Sequence, residues 1–229
     1  MQAEHFCVQC RTPFLNRFPL DEAGRCSLCR LGQNGFDTAY CYGSYENELR
    51  SLIHLFKYAK IQPLAKPLGK FLTQALPRFE RFDAVVPMPM HWRKRWSRGF
   101  NQAELLAAEV SRRSGIPVRR AVKRSRVGTV QAGLTNAKRR ENVAGAFAPT
   151  RQRVDGLRVL LVDDVMTTGE TAKACAKALK RAGAAYVSVL TVARVDRRIV
   201  AADRKDRVLQ FPESTFSGSL EDAKSGSLA

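Results

Sequence analysis

The sequence predicts an α/β fold, a parallel sheet flanked by helices, preceded by a small N-terminal module built on four cysteines. Three observations point there. Arg158-Val159-Leu160-Leu161-Val162 carries a continuous apolar run, as a strand buried on both faces requires. Ala172, Cys175, Ala176 and Leu179 follow at helical spacing, Gly183 closes that helix, and Tyr186 to Val192 is a second β-rich run. A strand, a helix and a strand over about thirty-five residues form a βαβ unit, which joins parallel strands. Finally, Cys7-x2-Cys10 and Cys26-x2-Cys29 stand as two close pairs near the start of the chain.

The remaining elements are read in order. The first forty residues are short and turn-rich, with Pro13, Pro19, Gly24, Gly32 and Gly35, and cannot hold together by burial alone. Leu49, Leu52, Ile53 and Phe56 predict a helix over Asn47–Tyr58, and Leu64, Leu68, Leu72 and Ala75 predict a second one closed by Pro77. Phe82 to Pro87 reads as a short strand ended by proline, followed by a basic loop from His91 to Phe100. Asn101, with Glu104 three residues on, is similar to a capping box for a helix that buries Ala103, Leu106, Ala107 and Val110 and stops at Gly115. Arg119 to Asn142 is basic and weakly patterned, an extended excursion, and Ala144 to Phe147 is expected to return to the sheet. These readings divide the chain into a cysteine module at 1–40, an α/β domain at 41–196 whose first part, 41–80, is helical, and a polar tail at 197–229 expected to be disordered.

Each cysteine pair puts two thiolates on one turn, and two such turns complete a tetrahedron. The spacing falls in the zinc-ribbon range, and with all four places filled by Cys7, Cys10, Cys26 and Cys29 the Zn2+ is structural. Disulfides are the alternative reading, disfavoured because nothing in the sequence indicates export. Cys41 and Cys175 read as packing residues, and His5, His54 and His91 are scattered.

No apolar run approaches the roughly eighteen residues needed to cross a bilayer, and Met1 to His5 lacks the layout of a signal peptide, so a cytoplasmic protein is expected. Charge is more informative. From His91 to Arg140 there are fourteen Lys/Arg and two Asp/Glu, a surplus of twelve within a net charge of +18. A field this concentrated attracts polyanions such as nucleic acid, a diphosphate or an anionic membrane, whereas charge serving only solubility is usually mixed in sign.

Val162-Asp163-Asp164-Val165-Met166-Thr167-Thr168-Gly169-Glu170-Thr171 follows the central strand. Ligands of open α/β sheets sit beyond the carboxyl ends of the strands, where Asp163 and Asp164 are expected to aim their carboxylates. Backbone N–H groups and the helix dipole at Thr167, Thr168, Gly169 and Thr171 suit a phosphate. The acids would repel one; they suit hydroxyls, a divalent ion or a developing positive charge.

This string resembles the signature of the type I phosphoribosyltransferases. The resemblance implies a parallel sheet of that type and a site for phosphoribosyl diphosphate (PRPP) at Asp163, Asp164, Val165, Met166, Thr167, Thr168, Gly169 and Thr171. The loop would hold the 5-phosphate, and the acids the ribose 2- and 3-hydroxyls. PRPP also brings a 1-diphosphate with Mg2+, which implies a second anion cradle after Pro87. There Arg93, Lys94, Arg95 and Arg98 carry charge, and Arg98-Gly99-Phe100-Asn101-Gln102 opens a helix. Trp92 and Trp96 interleave with these cations as in single-strand binding surfaces, so Arg93, Lys94, Arg95, Trp96, Arg98 and Arg139 are equally candidates for nucleic acid. The sequence leaves diphosphate and nucleic acid both open.

In their order, the four-cysteine ribbon, the Arg98–Gln102 segment and the 162–171 loop resemble the ComF family, over about Cys7 to Ala193. Phe56-Lys57-Tyr58 is similar to its Lys-Tyr element. Gln131-Ala132-Gly133-Leu134, then Arg139, Asn142 and Gly145-Ala146-Phe147, is similar to a further one. Met88-Pro89-Met90 and the polar tail depart from the family pattern. The resemblance implies a role in natural transformation. Such a protein binds PRPP and single-stranded DNA and works with a helicase-like competence partner, peripheral to the inner membrane. It equally admits an active phosphoribosyltransferase, with Asp163, Asp164 and Arg98 catalytic and an unidentified nitrogen nucleophile as acceptor, selected by a hood at 41–80. Oligomeric state is not legible.

Overall fold

The computed structural model describes residues 5–14, 20–32, 34–124 and 146–195, with only the backbone for Pro13, Arg93 and Lys94. Its centre is a four-stranded sheet of β3 (Thr38–Ser44), β4 (Ala84–Pro87), β7 (Arg158–Met166) and β8 (Tyr186–Arg194), in the order β3-β8-β7-β4. Every neighbouring pair is parallel, with Val85 opposite Leu160, Leu160 opposite Ser188, and Tyr40 opposite Leu190. Val159 to Val162 are fully buried, because helices cover both faces of the sheet.

One face carries α2 (Asn47–Tyr58), α3 (Ala65–Ala75) and α5 (Gln102–Ser114). Ile53, Phe56, Leu68, Leu72, Leu106 and Val110 pack there against Leu160, Val162, Leu190 and Val192. Helix α3 approaches α5 so closely that a Cβ on Gly69 would stand 2.4 Å from the Glu109 Cβ. Asn101 caps α5 as expected, its Oδ1 accepting from the Ala103 N–H while its amide donates to the Met88 carbonyl. The Glu104 carboxylate does not turn back to the Asn101 N–H but faces Arg95 and Arg120. The other face carries α6 (Glu170–Arg181), with Ala172, Cys175, Ala176 and Leu179 buried against the sheet.

Three expectations need correcting. His91–Phe100 is not a loop throughout, since Trp92–Arg98 forms a short helix, α4. Its two apolar residues, Trp92 and Trp96, stay exposed, and with nothing apolar beyond them there is no buried stripe to read. Phe147–Pro149, β6, does not join the parallel sheet but pairs antiparallel with Val122–Arg124, β5, in a separate ladder. The central strand does not end at Val162; it runs on to Met166, so both acids lie inside it. Strand β3 carries no alternating or continuous apolar pattern, and it runs unbroken across residues 40 and 41.

The N-terminal module consists of a two-stranded ladder, β1 (His5–Phe6) with β2 (Pro13–Phe14), and a single helical turn, α1 (Ser27–Arg30). Its cysteines pack into the same core as α6 rather than forming an isolated unit. The Ala39 N–H donates to the Gln9 carbonyl, and the Gln9 side chain donates to the Asp37 carbonyl, tying the module to the start of β3. Residues 197–229, Arg139 and the Gln131–Asn142 element lie outside the described residues.

Candidate functional site

A cavity of about 60 Å³ opens where β7 gives way to α6, lined by Asp163, Val165, Met166, Thr167, Gly169, Thr171, Ala172, Val189 and Thr191. At about 10–15 Å³ per water, this is space for a group the size of a phosphate. Gly169 turns the chain with a φ of +83°, in the left-handed region, immediately before α6, and its carbonyl accepts the Lys173 N–H. The helix start therefore presents backbone N–H groups and positive dipole to the cavity. Thr191 contributes a fully buried hydroxyl that finds no hydrogen-bond partner among the described residues. A buried hydroxyl left this way inside a cavity calls for a polar occupant.

Of the eight residues expected at this site, the cavity gathers six. Asp164 and Thr168 are not in its lining. Thr168 Oγ1 lies 3.5 Å from the Glu170 N–H at the helix start. Because the strand continues past the acids, they obey strand alternation and face opposite sides of the sheet. Asp163 looks towards α6, close enough for its charge to help raise the buried Cys175 thiol, whose main cause is burial. Asp164 looks towards α2, where Lys57 Nζ holds it at 2.8 Å, both side chains being mostly buried. The expectation that both carboxylates aim into one crevice is thus corrected: one lines the cavity, the other is engaged by a lysine. Lys57 belongs to the Lys-Tyr element of the sequence, which by itself assigns it no partner. Its signal was a cation one turn beyond the buried Ile53, at the edge of an apolar face. Thr191 and Val189 carried no local signal, being placed by strand register alone.

The basic residues gather elsewhere, around a larger cavity of about 380 Å³ between the end of β4, α4, the start of α5 and the β5–β6 ladder. Arg95, His91 and Trp92 line one side, Arg120, Lys123 and Arg124 the other. Glu104 is the acidic residue in the lining, 3.5 Å from Arg95 and 3.6 Å from Arg120. Trp96, on α4, is 89% exposed, and Trp92 is half exposed. Arg98 turns away from this cavity, its guanidinium 5.2 Å from the Tyr58 ring centroid. Arg93 and Lys94 lie on α4, and Arg139 lies outside the described residues. Arg120, Lys123 and Arg124 fall within the basic stretch noted in the sequence, but only the β5–β6 ladder brings them opposite α4.

Behind the first cavity, the sulfurs of Cys7, Cys10, Cys26 and Cys29 all lie within 4.8 Å of one another, and all four residues are buried. Cys7 Sγ is 3.6 Å from Cys29 Sγ and Cys10 Sγ is 3.7 Å from Cys26 Sγ. A tetrahedral cation with metal–sulfur bonds of about 2.3 Å sets its sulfurs about 3.8 Å apart, so the arrangement fits. Outer donors are also in place: the Cys26 N–H donates to Cys7 Sγ at 3.3 Å and the Asn34 amide to Cys29 Sγ at 2.8 Å. Hydrogen bonding with Cys10 above all holds the Cys7 thiol low, and hydrogen bonding with Cys26 brings Cys10 down to about 6. Contacts with Cys10 push Cys26 and Cys29 up.

Comparison with known proteins shows the family. Residues 98–222 match the phosphoribosyl transferase domain family. A competence protein F from Haemophilus influenzae is 33% identical over 181 residues, covering 75% of this chain and 79% of that protein. The chain belongs to the ComF family. Another relative of this ComF protein, the DNA utilization protein YhgH of Escherichia coli, is 31% identical over 196 residues, covering 82% of this chain and 83% of its own. Among solved structures, a glutamine PRPP amidotransferase from Bacillus subtilis is 27% identical with a TM-score of 0.41, covering 55% of this chain and 25% of that one. The parallel sheet, its flanking helices and the cysteine cluster give this ComF chain a phosphoribosyltransferase-type fold with a four-cysteine module. Among the described residues no helix is long and apolar enough to cross a membrane.

Proposed function

We propose that this ComF protein binds PRPP at the β7–α6 cavity and single-stranded DNA along the α4 face, and acts in the uptake or use of DNA. The observation that carries the first half is the buried, unpartnered Thr191 hydroxyl inside a phosphate-sized cavity at a helix N-terminus. The 5-phosphate takes the N–H groups from Thr167 to Thr171 together with their hydroxyls. Asp163 accepts hydrogen bonds from ribose hydroxyls. Asp164 reaches them only by sharing its bond with Lys57, so it serves chiefly to position that lysine. Mg2+ enters with the diphosphate of PRPP.

Cys7, Cys10, Cys26 and Cys29 hold a structural Zn2+, which crosslinks β1–β2 to α1 and supplies no open coordination position. The α4 face recognises a polyanion by charge from Arg95, Arg120, Lys123 and Arg124, and takes bases on Trp92 and Trp96. The names of relatives concerned with competence and DNA utilization support this half.

Isothermal calorimetry with PRPP and Mg2+ tests the reading. Wild type binds, and Asp163→Asn weakens binding by roughly tenfold or more, the loss of one or two charge-assisted hydrogen bonds. Equal binding by wild type and Asp163→Asn would remove the acid from the site, and no heat from wild type would remove PRPP. Assay of the same samples for free diphosphate distinguishes binding alone from transfer.

A further inference from the structure

One buried side chain joins the cysteine cluster to the phosphate loop. Arg194 ends β8, opposite Met166 in the ladder, and is 1% exposed. One terminal nitrogen of its guanidinium donates to Thr12 Oγ1 at 2.7 Å. Thr12 is itself fully buried, and the same hydroxyl lies 2.9 Å from Cys10 Sγ. The other terminal nitrogen reaches the loop, where a Cβ built on Gly169 would stand 3.8 Å from it. Thr12 also fixes the cysteine turn directly, its carbonyl accepting the Cys7 N–H at 3.0 Å. Cys10, Thr12 and Arg194 are buried and joined by polar contacts, and the guanidinium then lies against the half-buried Gly169 at van der Waals distance.

The chemistry of the path has a direction. A hydroxyl has one proton and two lone pairs. When Cys10 is a metal-bound thiolate, the Thr12 O–H donates to its sulfur and leaves the oxygen lone pairs to accept from Arg194. A tetrathiolate zinc centre carries two net negative charges, and Arg194 stands between it and the place where a phosphate would bind. The guanidinium thus has an anion to answer on each side. Ordering Thr12 through the cluster orders the guanidinium, which packs beside the left-handed turn at Gly169, where the helix N–H groups face the cavity.

We infer that Arg194 is a positioning residue that couples the two sites: a cation on the four cysteines tightens phosphate binding at the Thr167–Thr171 loop, and an occupied loop tightens the hold on the cation. The inference rests on the proposed PRPP site. Coupling of this kind is reciprocal in affinity, and a tighter hold on the cation shows as slower release, so it can be read from the metal side without any assay of turnover.

The test follows zinc release from the zinc-loaded full chain to the dye 4-(2-pyridylazo)resorcinol, with and without PRPP and Mg2+, beside calorimetry on the same preparation. In wild type, PRPP slows release by roughly fivefold or more. Arg194→Lys keeps the charge but loses the two-ended fork, and Thr12→Val loses the hydroxyl. Each begins with one zinc per chain, and PRPP no longer slows its release; Thr12→Ser restores the slowing. Should Thr12→Val fail to hold zinc, the comparison of wild type, Thr12→Ser and Arg194→Lys carries the test unaided. Wild type that binds PRPP by calorimetry yet releases zinc at one rate overturns the coupling alone. Arg194→Lys that keeps the full protection overturns the assignment to Arg194. Wild type that gives no heat with PRPP overturns the coupling together with the site beneath it.

Discussion

Lys57 and Asp164 form an ion pair with side chains only 15% and 11% exposed, and removing one partner strands the other charge away from water. Lys57→Met is expected to destabilise the protein by about 2 kcal/mol in urea unfolding, below the full cost of a wholly buried pair because some solvent remains. Lys57→Met with Asp164→Asn is expected to recover most of that loss, since no bare charge is left; a double variant no more stable than the single one would contradict the pairing. Sequence made the acids legible as acids, because two carboxylates next to a Thr-Thr-Gly turn are unusual wherever they face. It did not reveal their opposite orientations, which depend on how far β7 continues. A pairing between Lys57 and Asp164 joins segments more than a hundred positions apart, and nothing local to either residue announces it. The Thr191 hydroxyl is a similar case, placed beside Asp163 by the β7–β8 register.

At the scale of elements, the sharpest expectation concerns Gly69. The 2.4 Å approach to the Glu109 Cβ leaves no room for a methyl group, so Gly69→Ala must push α3 off α5. Thermal and urea unfolding should register a loss of about 1–3 kcal/mol, the usual cost of overpacking, whereas a neutral substitution would mean the helices sit further apart. Elements with an apolar stripe were legible: α2, α3 and α5 lie within a residue or so of their expected spans, and α6 buries the residues its stripe predicts. Elements without one were not. Helix α4 carries only two apolar residues, Trp92 and Trp96, and both are exposed. Strand β3 mixes small and aromatic residues at the edge of the sheet, and owes its existence to pairing with β8.

For the whole molecule, the distribution of charge was legible but its shape was not. The surplus between His91 and Arg140 is plain in the sequence, while the cleft formed by Arg95, Arg120, Lys123 and Arg124 needs the β5–β6 ladder to fold back opposite α4. If this face binds single-stranded DNA, log affinity falls linearly with log salt at about 0.7 per phosphate contact. Replacing Arg120 and Lys123 by Ser should then lower that slope by about 1.4. Trp96→Ala should weaken binding by about 1–3 kcal/mol with the slope unchanged, because stacking releases no counterions. A slope unaffected by the arginine and lysine changes would move the DNA to another surface.

All of these expectations converge on whether the turn before α6 holds a sugar phosphate. Phosphorus NMR of PRPP with Mg2+, titrated with the protein, observes that contact directly, because the 5-phosphate and the diphosphate give separate resonances. The account predicts that the 5-phosphate signal shifts with wild type and stays at its free position with Thr167→Ala/Thr171→Ala at the same protein concentration. A 5-phosphate signal that wild type leaves unmoved, or that the double variant moves equally, would contradict it.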